Sequence, residues 1–213
     1  MEYTAPVKGD RKYWKLYLEI ALLSLICVTQ YFGISIANLA LTCCVLGVHF
    51  LMSDIEECTI GLFCADEMRK KGDAGMVIGI ETIKGAVLDA NRNAVLNGIV
   101  NARYVCGKAE DEMPKMVGLA PDDRPDDDPN KIMIDRADVV ILDPPRAGCD
   151  ERLLETVVKV GPERIVYVSC DPATLARDVK YLGENGYEFV EATPVDMFPH
   201  TSHVETVCLL SRK

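Results

Sequence analysis

Three short stretches of the chain carry side chains suited to covalent and acid–base chemistry. Cys170 lies in Val168-Ser-Cys-Asp-Pro-Ala-Thr-Leu-Ala-Arg177, between an apolar run and a proline that suits a helix start. Free amides and the positive end of a helix dipole favour a thiolate at such a place, whereas a cysteine elsewhere is more often buried and inert. Asp143-Pro-Pro-Arg-Ala-Gly148 ends another apolar run. The prolines fix φ and restrict the preceding residue, giving a stiff turn with a carboxylate at its root. Such a turn suits holding a planar base or an amino group, and an ordinary strand-ending turn is the plain alternative. In Phe198-Pro-His-Thr-Ser-His-Val-Glu205, two histidines and a carboxylate precede the apolar run Thr206–Leu210. A lone His-x-Glu is weak by itself. A nucleophilic thiol with a separate carboxylate base is what covalent catalysis through an adduct requires.

These residues need elements that bring them together. Met76-Val-Ile-Gly-Ile-Glu81 has the length and composition of a buried parallel strand ending in an acid. Residues 83–97 place Ile83, Val87, Ala90 and Ala94 on one helical face, and Asn97-Gly98 closes the helix. Strands are predicted at 102–106, 139–143 and 164–170, and helices at 153–160 and from Pro172 to about Glu184. Residues 188–195 and 205–210 read as a final pair of strands. The alternation predicts a mostly parallel, twisted α/β sheet with helices on both faces. Ligands of such sheets sit at the strand carboxyl ends, where Glu81, Asp143 and Cys170 all fall.

The 213 residues suffice for one good-sized domain, and the net charge of −10 argues against broad, nonspecific phosphate binding. The nine cysteines show no CxxC pair and no zinc-ligand spacing, so no metal site is expected and a reduced, cytoplasmic setting is. Pro121-Asp-Asp-Arg-Pro-Asp-Asp-Asp-Pro129 reads as a solvated loop. From Ile20 to Ser53 there is no Asp, Glu, Lys or Arg. That is enough to cross a bilayer. The polar interruptions at Thr29, Gln30, Ser35, Asn38 and Thr42 favour instead a buried helix followed by a first strand. The boundary is accordingly drawn as an atypical apolar segment, 1–53, followed by a catalytic domain, 54–213.

The motifs DPPRAGC (143–149), YVSCDPATLARD (167–178) and VDMFPHTSHVET (195–206), in this order, resemble the RNA uracil-5-methyltransferase family, especially its bacterial 23S rRNA branch. The resemblance covers about residues 76–213. It implies a Rossmann-like class I fold that uses S-adenosylmethionine to methylate carbon 5 of a uridine in RNA, with 23S rRNA the leading substrate and tRNA the alternative. It further implies that Cys170 is the nucleophile, that Glu205 is the base, and that Glu81 and Asp143 lie at the cofactor. Pro144, Arg146 and His203 are expected to support the substrate.

The resemblance weakens before residue 76. The family's cofactor loop reads approximately Asp-x-Tyr-Cys-Gly-x-Gly-Thr-Ile-Gly, whereas here the stretch is Asp54-Ile-Glu-Glu-Cys-Thr-Ile-Gly61, two residues shorter and without both loop glycines. The upstream Phe-x-Gln segment and the RNA-binding barrel of the family are not recognisable. The favoured expectation is a fragment or damaged reading frame in which about the first 50 residues are not native to the family; a diverged enzyme with an altered loop and a membrane-tethered relative are the competing readings. For function, the alternative is a catalytically impaired fragment or a non-catalytic RNA-binding remnant.

Overall fold

The computed structural model describes residues 59–196, 200 and 204–213, all within one unit, Glu56–Lys213. The expected boundary at 53/54, the apolar run 20–52 and the cofactor loop up to Cys58 lie outside the described residues. No helix among the described residues is long and apolar enough to cross a membrane.

The first described element is α1 (Thr59–Lys70), which the sequence reading left unassigned. Leu62, Phe63 and Ala65 bury its inner face. Arg69 and Lys70 in its last turn pair with Asp66 and Glu67 at helical spacing and complement the negative end of the dipole. Next come β1 (Val77–Glu81), α2 (Lys84–Leu96) and β2 (Ala102–Cys106). The strands pair in parallel, from Val77 opposite Ala102 to Glu81 opposite Cys106, with α2 as the crossover. Gly98, at φ +63°, ends α2 where Asn97-Gly98 was expected to.

The register sets Tyr104 opposite Gly79, and the ring takes the space of the missing side chain: a Cβ at Gly79 or Gly61 would strike it. Tyr104 turns its backbone N–H and C=O away from β1. The Asn91 side chain of α2 meets both, accepting from the N–H at 3.1 Å and donating to the C=O at 3.0 Å.

A short helix, α3 (Ala109–Met116), follows β2. Its first turn holds Glu110, Asp111 and Glu112, which suit the positive end of a helix. The acidic stretch beyond it was expected to be a plain solvated loop, and it is irregular but anchored. Arg124 bridges Glu112 at 2.8 Å and Asp122 at 2.6 Å, Lys131 holds Asp126 at 2.7 Å, and Ile132 is buried against Val105 and Met116.

The second sheet contains β3 (Val139–Leu142), β4 (Arg164–Ser169), β5 (Tyr187–Val195) and β6 (Glu205–Arg212), in spatial order β3-β4-β6-β5. β3 and β4 run parallel, joined through α4 (Glu151–Val160), which Asp150 caps at its N-terminus and Gly161, at φ +63°, ends. α5 (Pro172–Glu184) follows β4. The last strand, β6, inserts antiparallel between β4 and β5. The described pairings are therefore two parallel and two antiparallel, in a class I-type α/β fold. Leu142, Leu153, Val157, Ile165, Tyr167, Leu175, Leu182, Tyr187, Cys208 and Leu210 form the main core.

Candidate active site at the strand rim

Each strand end delivers one reactive group. Glu81 is the last residue of β1. Its Oε1 accepts from the Ile83 N–H at 2.8 Å and from the Thr82 hydroxyl at 3.0 Å, which fixes it in the turn that leads into α2. Asp143 directly follows β3. Cys170 directly follows β4 and is half-buried. Glu205 opens β6 and is buried; because β6 is antiparallel, its start lies at the rim where β4 ends.

The β4–β6 ladder runs from Arg164 opposite Ser211 to Ser169 opposite Thr206. One step past the last pair, Cys170 leaves β4 and Glu205 enters β6 at the same rim, although 35 residues separate them along the chain. The bend at Cys170 is held by Ser169, whose hydroxyl donates to the Asp171 carbonyl at 2.9 Å and accepts from the Asp171 N–H at 3.1 Å. Asp171 then caps α5, accepting from Ala173 N–H at 2.8 Å, with Pro172 in the first turn.

Electrostatics join the other two carboxylates to this pair. The Asp143 residue is exposed at the strand end. Desolvation of its carboxyl, then the charge of Glu205, then that of Glu81, pushes it up to about 6. The charges of Glu205 and Glu81 thus reach Asp143, and the three acids stand at the ends of β1, β3 and β6. Such a cluster concentrates negative charge, and its donor chemistry fits a cationic ligand.

The other described thiols differ. Cys64, Cys149 and Cys208 are buried, and burial pushes the Cys64 thiol up to about 12 and the Cys149 thiol up to about 11. Cys106 is half-buried, with its sulfur 3.6 Å from the Thr82 carbonyl. Among the described residues, no group of three or more His, Cys, Asp or Glu is arranged to hold a metal ion.

Pro144 lies in the turn after Asp143, and Arg146 projects from it, exposed. His203 lies outside the described residues. The sequence reading passed over Thr174, Arg177 and Asp178, which tie the Asp143 turn to α5. A signal was present: Asp178 occupies an apolar helix face, between Leu175 and Leu182, both buried.

The sequence profile of the tRNA (uracil-5-)-methyltransferase family matches residues 64–213. An uncharacterized RNA methyltransferase of Caldanaerobacter subterraneus is 46% identical over 154 residues, which are 72% of this chain and 30% of the relative. One from Enterococcus faecalis is 49% identical over 156 residues, 72% of this chain and 29% of the relative. The chain thus spans about 30% of the length of the curated relatives it matches. Among solved structures, it is similar to the Pyrococcus abyssi tRNA (uracil-54, C5)-methyltransferase in complex with S-adenosyl-L-homocysteine. The identity is 34% and the TM-score 0.53, covering 71% of this chain and 31% of that one. On the strength of the profile match across most of its length, the chain belongs to the tRNA (uracil-5-)-methyltransferase family.

Proposed function

We propose that this chain carries the S-adenosylmethionine-dependent methylation of carbon 5 of a uridine in RNA, through a covalent adduct on Cys170. The observation that carries the reading is the shared rim: Cys170 follows β4 directly, Glu205 opens the antiparallel β6 beside it, and the charges of Glu205 and Glu81 act on Asp143 at the end of β3.

Carbon 5 of uracil is a poor nucleophile. The Cys170 thiolate adds to carbon 6 and moves the electron pair onto carbon 5 as an enolate. When bound, the cofactor supplies an electrophilic methyl on a sulfonium; carbon 5 takes it, and a neutral thioether leaves. Glu205 then removes the carbon 5 proton, the carbon–sulfur bond breaks, and the thiolate is restored. Glu81 and Asp143 provide the negative surface that a sulfonium cation favours. A base stacked in a helix hides both faces, so the target uridine enters flipped out. Pro144, Arg146 and His203 support the substrate side in this reading.

The substrate within RNA has two readings. The motif set favours 23S rRNA. The likeness to the Pyrococcus abyssi tRNA enzyme favours tRNA.

The test is RNA containing 5-fluorouridine, in rRNA and tRNA fragments, mixed with the chain and S-adenosylmethionine. Fluorine cannot leave carbon 5 as a proton does, so an adduct that resists denaturation is expected. Its loss in Cys170→Ala supports the assignment. An adduct that persists in that variant refutes it, and whichever RNA is trapped decides between the two substrates.

A further inference from the structure

Asp178 is a carboxylate at 0% exposure in the middle of α5, and its polar neighbours account for its position. Its Oδ2 accepts from the Tyr167 hydroxyl at 2.5 Å and from the Cys149 backbone N–H at 2.8 Å. Its Oδ1 accepts from Arg177 Nε at 2.7 Å. Arg177 also donates to the Ala147 carbonyl at 3.0 Å and to the Cys149 carbonyl at 3.3 Å. Thr174, one turn earlier, donates its hydroxyl to the Arg146 carbonyl at 3.1 Å. The three side chains stand at positions i, i+3 and i+4, so they present one face of α5 to four consecutive residues, 146–149.

The contact leaves no slack. Gly148 sits at φ +79°, and a Cβ there would strike Arg177 and meet Asp178 and Thr174 within 3.2 Å. Gly148 N–H also donates to the Pro145 carbonyl at 2.8 Å, which closes a turn over Pro145–Gly148, two residues after Asp143. The segment held by the clamp begins at Asp143, and the helix that carries the clamp begins directly after Cys170. A shift of 143–149 against α5 therefore changes the separation of the Asp143 carboxyl from the Cys170 thiol.

We infer that Asp178, with Arg177 and Thr174, is a positioning residue for the reaction, fixing the Asp143–Cys149 segment on α5 and so the placement of Asp143 relative to Cys170. The inference rests on the methylation reading for its catalytic consequence and on the hydrogen bonds alone for its structural part. Small errors in such spacing lower the rate at saturation rather than the binding of a large substrate.

The experiment compares the full chain with Asp178→Asn, which keeps the shape and removes the charge, and Thr174→Val, which removes a single hydroxyl and serves where the first variant fails to fold. Two quantities are followed: formation of the Cys170 adduct with 5-fluorouridine RNA across RNA concentrations, and amide hydrogen exchange at Gly148 and Cys149. The expected result is a fall of about tenfold or more in the adduct rate at saturating RNA, with half-saturation changed by less than about twofold. Gly148 and Cys149 amides exchange about tenfold faster while those of β4 do not change. A purely structural role moves thermal stability and leaves the saturating rate at the wild-type value, and that result overturns the inference. Should the wild-type chain form no adduct, the methylation reading fails on its own, and exchange decides the clamp. Unchanged protection at Gly148 and Cys149 in both variants then refutes it, and selective loss of protection there upholds it.

Discussion

Replacing Asp143 by Asn tests the carboxylate cluster without any substrate. The Asp143 carboxyl is pushed up to about 6 by desolvation and by the negative charges of Glu205 and Glu81. The unfolded chain loses this proton near the ordinary aspartate value, about 3.9. A raised value in the folded state means that the native protein holds the proton more tightly than the unfolded chain does. The stability this provides is complete below about pH 4 and is lost as pH rises to about 6. At face value, a rise of this size corresponds to about 3 kcal/mol. Asp143 is open to solvent, so screening reduces that to about 1 kcal/mol. The amide of the Asp143→Asn variant carries no charge at any pH and escapes the loss. That variant should therefore melt about 2–4 °C above the wild type at pH 7.5, and the advantage should vanish near pH 4. Thermal unfolding followed by circular dichroism at both pH values measures it. Glu205→Gln removes the neighbouring charge that acts more strongly on Asp143, so the benefit of Asp143→Asn should shrink in that background. A melting difference between wild type and Asp143→Asn that is the same at pH 4 and pH 7.5 would refute the clustering of the three carboxylates.

Other outcomes follow from single contacts. Glu205→Gln should leave methylated RNA attached to the protein, visible as a denaturation-resistant band with ordinary uridine RNA; normal turnover by this variant removes Glu205 from the base role. Gly79→Ala drives a methyl into the Tyr104 ring and should destabilise by about 1–3 kcal/mol in urea unfolding, and a neutral effect would contradict the register. Gly161→Ala forces a side chain onto a residue at φ +63° and should destabilise by about 1 kcal/mol, read in the same assay. Among the five described cysteines, iodoacetamide at pH 8 should label Cys170 and Cys106 well before Cys64, Cys149 and Cys208, as peptide mass spectrometry would show.

Most of the alternation of strand and helix from Met76 to Val195 was legible because the strands are short runs closed by an acid, as at Glu81, or by a Gly or Pro signal, as at Gly107 and Pro144. Ala102–Cys106 matched its expected limits, and Pro172–Glu184 began at its proline. Two helices escaped. Thr59–Lys70 was left unassigned beyond the cofactor loop that ends at Gly61, and its support comes from burial of Leu62, Phe63 and Ala65. Ala109–Met116 begins with three acids and contains Pro114, a composition that suggests a loop until Lys115 and Arg124 neutralise Glu112. The rim positions of Glu81, Asp143 and Cys170 were readable because strand ends are local features. The insertion of β6 between β4 and β5 was not, because it depends on pairing residues as far apart as Arg164 and Ser211 rather than on any local pattern. That insertion is what brings the start of β6, and with it Glu205, to the rim where β4 ends. Asp178 was overlooked for a related reason: its partners, Tyr167 and Cys149, are 11 and 29 residues away.

The amide of Asn91 carries a consequence for behaviour in concentrated solution. A strand with one bare side invites another molecule to add on by main-chain bonding, the first step of fibrous association. At Tyr104 that side is already occupied, because one carboxamide imitates the peptide group of an absent neighbour. A chain adding on at this point must break two bonds before it forms its first, so the Asn91 side chain opposes strand addition at Tyr104.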